Sequence, residues 1–190
     1  TTAPLLDLGC GLGLLAHALK ASDIGLDYLG VDNDREKIEA ARAAAYHAGL
    51  QHADFDIVDL SSGFPEHRGS VAILDMLQFL TPERRSQLLA RAAGCLTPGA
   101  RLVIRTGMAD GNWRSRITRG MDVFAKFARW MNAAPKTYPT RAGLATELAS
   151  LGLRVLDCSP LWGRTPFNNW LVVAEPSIAT ASAGTGSTVE

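Results

Sequence analysis

Short apolar runs alternate along this chain with longer stretches whose apolar positions recur every three or four residues. The runs at 5–8 (LLDL), 28–31 (YLGV), 53–58 (ADFDIV), 71–74 (VAIL) and 101–105 (RLVIR) have the length and composition of buried strands. Between them, 14–21, 35–48 and 82–95 carry helical periodicity. Asp34 and Gly49 supply an N-cap and a C-terminal stop for the second of these helices. Thr81-Pro82 opens the third, with proline at the first helical position, and Thr97-Pro98-Gly99 turns the chain into the strand that follows. The rhythm fails at the end, where 153–158 and 169–174 read as strands with no helix between them and 160–166 (PLWGRTP) turns the chain back. The pattern predicts an α/β fold: a doubly wound, mostly parallel seven-stranded sheet with an antiparallel last strand and helices on both faces. One domain is expected over 1–176, with 107–141 as an insertion and 177–190 as a small, polar, disordered tail.

Composition narrows the classes. The chain has 190 residues, 47% of them hydrophobic, enough for one sizeable core. Nineteen basic and nineteen acidic residues cancel, which argues against a polyanionic partner such as nucleic acid. Cys10, Cys95 and Cys158 are odd in number and widely spaced, so neither a disulfide framework nor a zinc site is expected, and a reducing cytoplasmic location is. No apolar run approaches the ~20 residues needed to span a bilayer. The first strand begins at about Pro4 with no lead-in, which leads to the expectation that a preceding segment is missing.

Chemistry concentrates where strands end. Leu8-Gly9-Cys10-Gly11-Leu12-Gly13 follows the first strand and opens the first helix. Glycines at 9, 11 and 13 allow a ligand to approach the backbone, and the helix start offers free N–H groups. Asp7 is a carboxylate on a central strand, costly to desolvate without a partner. A ligand ammonium could supply that partner, and so could N–H groups of the loop; both readings stay open. Asp32 and Asn33 close the second strand, and Asp32 follows Gly13 at about the spacing of an acid that accepts from ribose hydroxyls. Asp59-Leu60 follows the third strand, where the acid could accept from an adenine amino group and the leucine lie against the ring. Asp75 and Met76 close the fourth strand, and Gln78 follows.

Taken in order, Asp7-Leu8-Gly9-Cys10-Gly11-Leu12-Gly13, Gly30-Val31-Asp32, Asp59-Leu60, Leu74-Asp75-Met76-Leu77-Gln78-Phe79-Leu80 and Leu96-Thr97-Pro98-Gly99 resemble the class I S-adenosylmethionine-dependent methyltransferases, and the segment 160–169 (PLWGRTPFNN) is similar to small bacterial members of that family that act on small molecules. The resemblance covers residues 5–106. It implies S-adenosylmethionine (SAM) as cofactor and S-adenosylhomocysteine (SAH) as product. It also implies that the glycine loop holds the methionine and ribose, Asp32 the ribose and Asp59 the adenine, with Asp75 and Met76 near the sulfonium. The family places a helix before its first strand, and these residues supply none.

Three rivals have their own residues. Gly11-Leu12-Gly13-Leu14-Leu15-Ala16 fits the dinucleotide fingerprint of an NAD-dependent oxidoreductase, although Asp7, Gly9 and Asp59 have no task there. A nucleic-acid amino-methyltransferase would carry a diproline motif where Asp75-Met76-Leu77-Gln78 stands. A non-catalytic SAM-binding subunit would need no base. The acceptor side falls in 107–141, where 111–141 hold seven basic residues against one acid, Asp122, interleaved with aromatics. Most of those aromatics read as core stripe. Trp113 and Arg114, just beyond the fifth strand, are substrate candidates with Gln78, and Asp110 is the candidate base if the acceptor must lose a proton. No His/Asp/Glu grouping has metal-ligand spacing. The expected acceptor is an apolar or aromatic small molecule, free or tethered to a carrier protein.

Overall fold

In the computed structural model, which describes residues 3–109, 137–161 and 168–177, strands and helices alternate as the apolar pattern requires. The order is β1 (Leu5–Leu8), α1 (Leu14–Ala21), β2 (Tyr28–Asp32), α2 (Arg35–Ala48), β3 (Ala53–Ile57), β4 (Ser70–Leu74), a 3-10 turn (Leu77–Phe79), α3 (Pro82–Cys95), β5 (Leu102–Gly107), α4 (Arg141–Ser150), β6 (Leu153–Pro160) and β7 (Asn169–Pro176). The strands form one seven-stranded sheet in the order β3-β2-β1-β4-β5-β7-β6. Pairings from β3 through β5 are parallel. β7 runs antiparallel to both β5 and β6.

Helix ends follow local chemistry. The Asp34 carboxylate accepts from the N–H groups of Glu36 and Lys37, and Gly49 closes α2 in the left-handed conformation that glycine enters without a Cβ penalty. Thr81 accepts from the Arg84 N–H, with Pro82 behind it.

Alternation along each strand divides the core in two. Leu6, Leu8, Ile73 and Ile104 face α3 and α4 through Leu88, Leu89, Leu144 and Leu148. Leu5, Tyr28, Phe55 and Ala72 face α1 and α2 through Ala16, Ile38, Ala41 and Ala45. No described helix is long and apolar enough to cross a membrane.

Two features add to the sequence pattern. The segment 141–150, which carries no helical expectation above, is the helix α4, capped by Thr140 accepting from the Gly143 N–H. Only Leu144 and Leu148 of it are buried. Two leucines one turn apart, preceded by a glycine, leave no stripe to read. β6 continues to Pro160 and contains an irregularity between Val155 and Asp157. Residues 162–167, 178–190 and most of the expected 107–141 insertion lie outside the described residues; at its two ends, Gly107 closes β5 and Arg141 opens α4.

The topology fixes where a ligand can enter. β1 pairs with β2 on one side and β4 on the other, so the chain's direction of winding reverses between β1 and β4. Crevices at such switch points open beyond the carboxyl ends of the strands.

Candidate active site at the carboxyl edge of the sheet

The glycine loop leaves β1 tied to its neighbour, because the N–H groups of Gly9 and Cys10 both donate to the Val31 carbonyl, at 2.8 and 3.0 Å. All three loop glycines have positive φ, from 55° to 75°. Their spatial reasons differ. A Cβ at Gly13 would lie 2.4 Å from the Phe55 ring, and one at Gly9 would lie 2.7 Å from Met76 Sδ. These two positions are glycine because the protein packs against them. A Cβ at Gly11 would meet nothing within 4 Å. Of the three, Gly11 is the one whose open side leaves room for a ligand.

Asp32 ends β2 beside that opening. One carboxylate oxygen accepts from the Gly11 N–H at 3.0 Å and the other from the Asp34 N–H at 3.0 Å. Each oxygen retains a lone pair for a further donor. Asp32 therefore fixes the loop and retains two acceptor positions beside Gly11. Asn33 beside it is exposed.

Asp7 lies below the loop, in the third position of β1 and buried to 3% exposure. The Tyr28 hydroxyl donates to its Oδ2 at 2.6 Å. Its Oδ1 is buried and takes no hydrogen bond among the described residues. Burial pushes the Asp7 carboxyl up to about 6, Tyr28 pulls it back and nearby Asp32 raises it further. Burial, then the charges of Asp7 and Asp32, push the Cys10 thiol up to about 12, so Cys10 is no nucleophile at neutral pH. Burial and Asp7 drive the Tyr28 phenol far above its ordinary range, and it stays a donor. Neither Asp7 nor Asp32 forms an ion pair with a described residue. Two carboxylates, one buried with an unused oxygen, thus stand at the loop without a countercharge among the described residues. Of the two partners the sequence left open for Asp7, loop N–H groups are not in use, and Tyr28 is a third that the sequence did not suggest.

Across the switch point, Asp75 follows β4 in the left-handed conformation, φ 55°, unfavourable for a residue with a Cβ. Its N–H donates to the Arg105 carbonyl at 2.7 Å and its carboxylate pairs with the Arg105 guanidinium. Gln78 Nε2 donates to the Asp75 carbonyl at 2.9 Å, and Thr106 Oγ1 donates to Gln78 Oε1 at 3.2 Å. Both ends of the buried Gln78 amide are thereby engaged. Met76 closes this side against Gly9.

Asp59 and Leu60 sit past β3. Asp59 is exposed, its Oδ1 accepts from the Ser61 N–H at 2.8 Å, and its pKa is lowered chiefly by that bond, with Arg84 adding to the effect. Leu60 packs against the larger core cluster. The fold thus brings Asp7, Gly9, Cys10, Gly11, Gly13, Asp32, Asn33, Asp75 and Met76 to one edge. Asp110, Trp113 and Arg114 lie outside the described residues. Tyr28, Arg105 and Thr106 were not foreseen. A tyrosine on an inward strand face demands a partner for its hydroxyl, but only the β1–β2 register identifies Asp7.

The same residues carry the similarity to known proteins. Residues 5–99 match a family model described as a methyltransferase domain. A ribosomal protein L11 methyltransferase from Xylella fastidiosa is 34% identical over 131 residues, covering 67% of this chain and 37% of its own length. A ubiquinone biosynthesis O-methyltransferase from Aeromonas salmonicida is 27% identical over 157 residues, covering 82% of this chain and 64% of its own length. The chain spans less than two thirds of either relative. Among solved structures, magnesium protoporphyrin IX methyltransferase from Synechocystis with bound SAH superposes with a TM-score of 0.72 at 19% identity, covering 93% of this chain and 74% of that one. At that identity the match speaks for the fold.

Proposed function

The chain belongs to the methyltransferase-domain family, and from that premise we propose that it binds SAM at the carboxyl edge of β1, β2 and β4 and transfers the methyl group to a small-molecule acceptor. The observation that carries the cofactor reading is a pair of carboxylates with no countercharge among the described residues, with Asp7 Oδ1 buried and unused and Gly11 open to one side. A dinucleotide brings a pyrophosphate, which two adjacent carboxylates repel. SAM brings an ammonium and a sulfonium, which they attract.

The residues present suit such a ligand. Asp7 would compensate the ammonium from below the glycine loop, and Gly11 would admit the backbone approach. The free lone pairs of Asp32 would accept from ribose hydroxyls, with Asn33 flanking. Asp59 and Leu60 would take the adenine, and Asp75 and Met76 would border the sulfur. The cofactor, when bound, supplies an already activated methyl group, so the protein's own work is to position and to exclude water. The left-handed Asp75 turn, pinned by Gln78 and Thr106, holds Met76 against Gly9 and sets the crevice wall there.

The acceptor would enter over β4 and β5. Gln78, Trp113 and Arg114 are proposed for that side, and Asp110 as base for an acceptor that must lose a proton. The names of the ubiquinone-pathway and magnesium-protoporphyrin proteins favour a small acceptor; a carrier-tethered form would suit the basic stretch within 111–141. Incubation with methyl-labelled SAM and a panel of phenols, carboxylates and amines, free and carrier-bound, tests the reading. Label transfer to one chemical class is expected. Cofactor binding with no transfer to any class would restrict the chain to a binding role.

A further inference from the structure

We propose that Tyr28 is a positioning residue of the cofactor site, holding the buried Asp7 carboxylate charged and fixed beneath the glycine loop so that cofactor affinity depends on one proton. The inference rests on the cofactor reading above and deepens it. Nothing in the family resemblance assigns a role to position 28.

The geometry makes the hydroxyl immobile. Tyr28 opens β2, is 4% exposed, and its N–H donates to the His52 carbonyl at 2.8 Å. Its ring lies against Phe55 at 5.6 Å between centroids, tilted by 56°. The phenol proton is spent on Asp7 Oδ2 at 2.6 Å, the length of a charge-assisted bond. That bond stabilises the ionised carboxyl and leaves Oδ1 as its free face.

Among the described residues the neighbourhood offers little else. From β2 come Tyr28 and Asp32, and from the glycine loop Cys10, protonated throughout the physiological range. β4 contributes Ala72, paired with Asp7 in register. The helices α1 and α2 contribute Ala16, Ile38, Ala41 and Ala45 to this face. No cation among these holds Asp7 ionised. The Tyr28 hydroxyl opposes burial and the repulsion of Asp32, leaving the carboxyl near 6.

A cationic ligand favours ionised Asp7, so its affinity is predicted to rise with pH up to that value and level off above it. Replacing Tyr28 by phenylalanine keeps the ring and removes the donor. The Asp7 titration then moves upward by about one to two pH units, the scale of one hydrogen bond to a charged group.

Isothermal titration of the full chain with SAH between pH 5 and 9 tests this. For the wild type, affinity should rise by up to about tenfold per pH unit below 6 and then flatten. Asp7→Asn should give weak binding with no knee at that pH. Tyr28→Phe should displace the knee upward and recover near wild-type affinity at pH 9. A Tyr28→Phe curve superimposable on wild type, or lowered equally at every pH, would overturn the proposal while leaving the cofactor reading intact. Failure of the wild type to bind SAH or SAM at any pH would overturn both.

Discussion

Asp7 trades stability for binding. Its folded-state pKa of about 6 lies above the ordinary 3.8, so the folded protein holds the proton more tightly than the unfolded chain does. Its contribution to stability is complete below 3.8 and is lost as pH rises through about 6, leaving a cost of about 3 kcal/mol at neutral pH. Asp7→Asn keeps an acceptor for Tyr28 and removes the charge. Its unliganded melting temperature at pH 7.5 is predicted to exceed that of the wild type, while its affinity for SAM falls at least ~10-fold, as for a lost charged contact. Differential scanning calorimetry and isothermal titration measure the two effects; a lower melting temperature would contradict the burial argument. The glycines separate likewise. Gly13→Ala drives a Cβ into Phe55 and should destabilise the fold by about 1–3 kcal/mol. Gly11→Ala meets open space and is predicted to fold with about 1 kcal/mol of backbone strain. Its SAM affinity should fall further than that strain explains. Urea denaturation beside titration distinguishes the two. Asp32→Ala removes the acceptor of the Gly11 and Asp34 N–H groups and should weaken SAM binding by about 1–3 kcal/mol.

Elements differ in how openly the chain announces them. β1 and β4 are runs buried on both faces, β5 opens on the apolar run Leu102-Val103-Ile104, and α2 and α3 carry explicit caps, so their positions were legible. The acids along the carboxyl edge were legible because each falls within two residues of a strand's end. α4 was not, since its hold on the molecule is tertiary: two leucines and the Glu147 carboxylate, which meets Arg85 and Ser86 of α3. Arg85 and Glu147 are only 14% and 17% exposed in their side chains. Glu147→Ala should therefore cost about 1–3 kcal/mol by leaving the largely buried Arg85 without its carboxylate, read as a reduced urea midpoint at unchanged slope. Partners such as Tyr28 for Asp7, Arg105 for Asp75 and Thr106 for Gln78 depend on strand register, which alternation of apolar and polar residues does not fix when both faces of a strand are buried.

At the scale of the molecule, a chain of zero net charge sets two carboxylates, Asp7 of β1 and Asp32 at the end of β2, beside the switch point between β1 and β4. The topology opens the crevice, the glycine loop clears it, and Asp7 with Asp32 gives it a sign that favours a cation. The central claim is that this crevice takes a positively charged sulfur nucleoside. Isothermal titration of the full chain at pH 7.5 with SAM, and separately with NAD, tests it most directly. The account predicts saturable one-to-one binding of SAM, weakened in Asp7→Asn and in Asp32→Ala, and no heat from NAD. Saturable binding of NAD with none of SAM would contradict it.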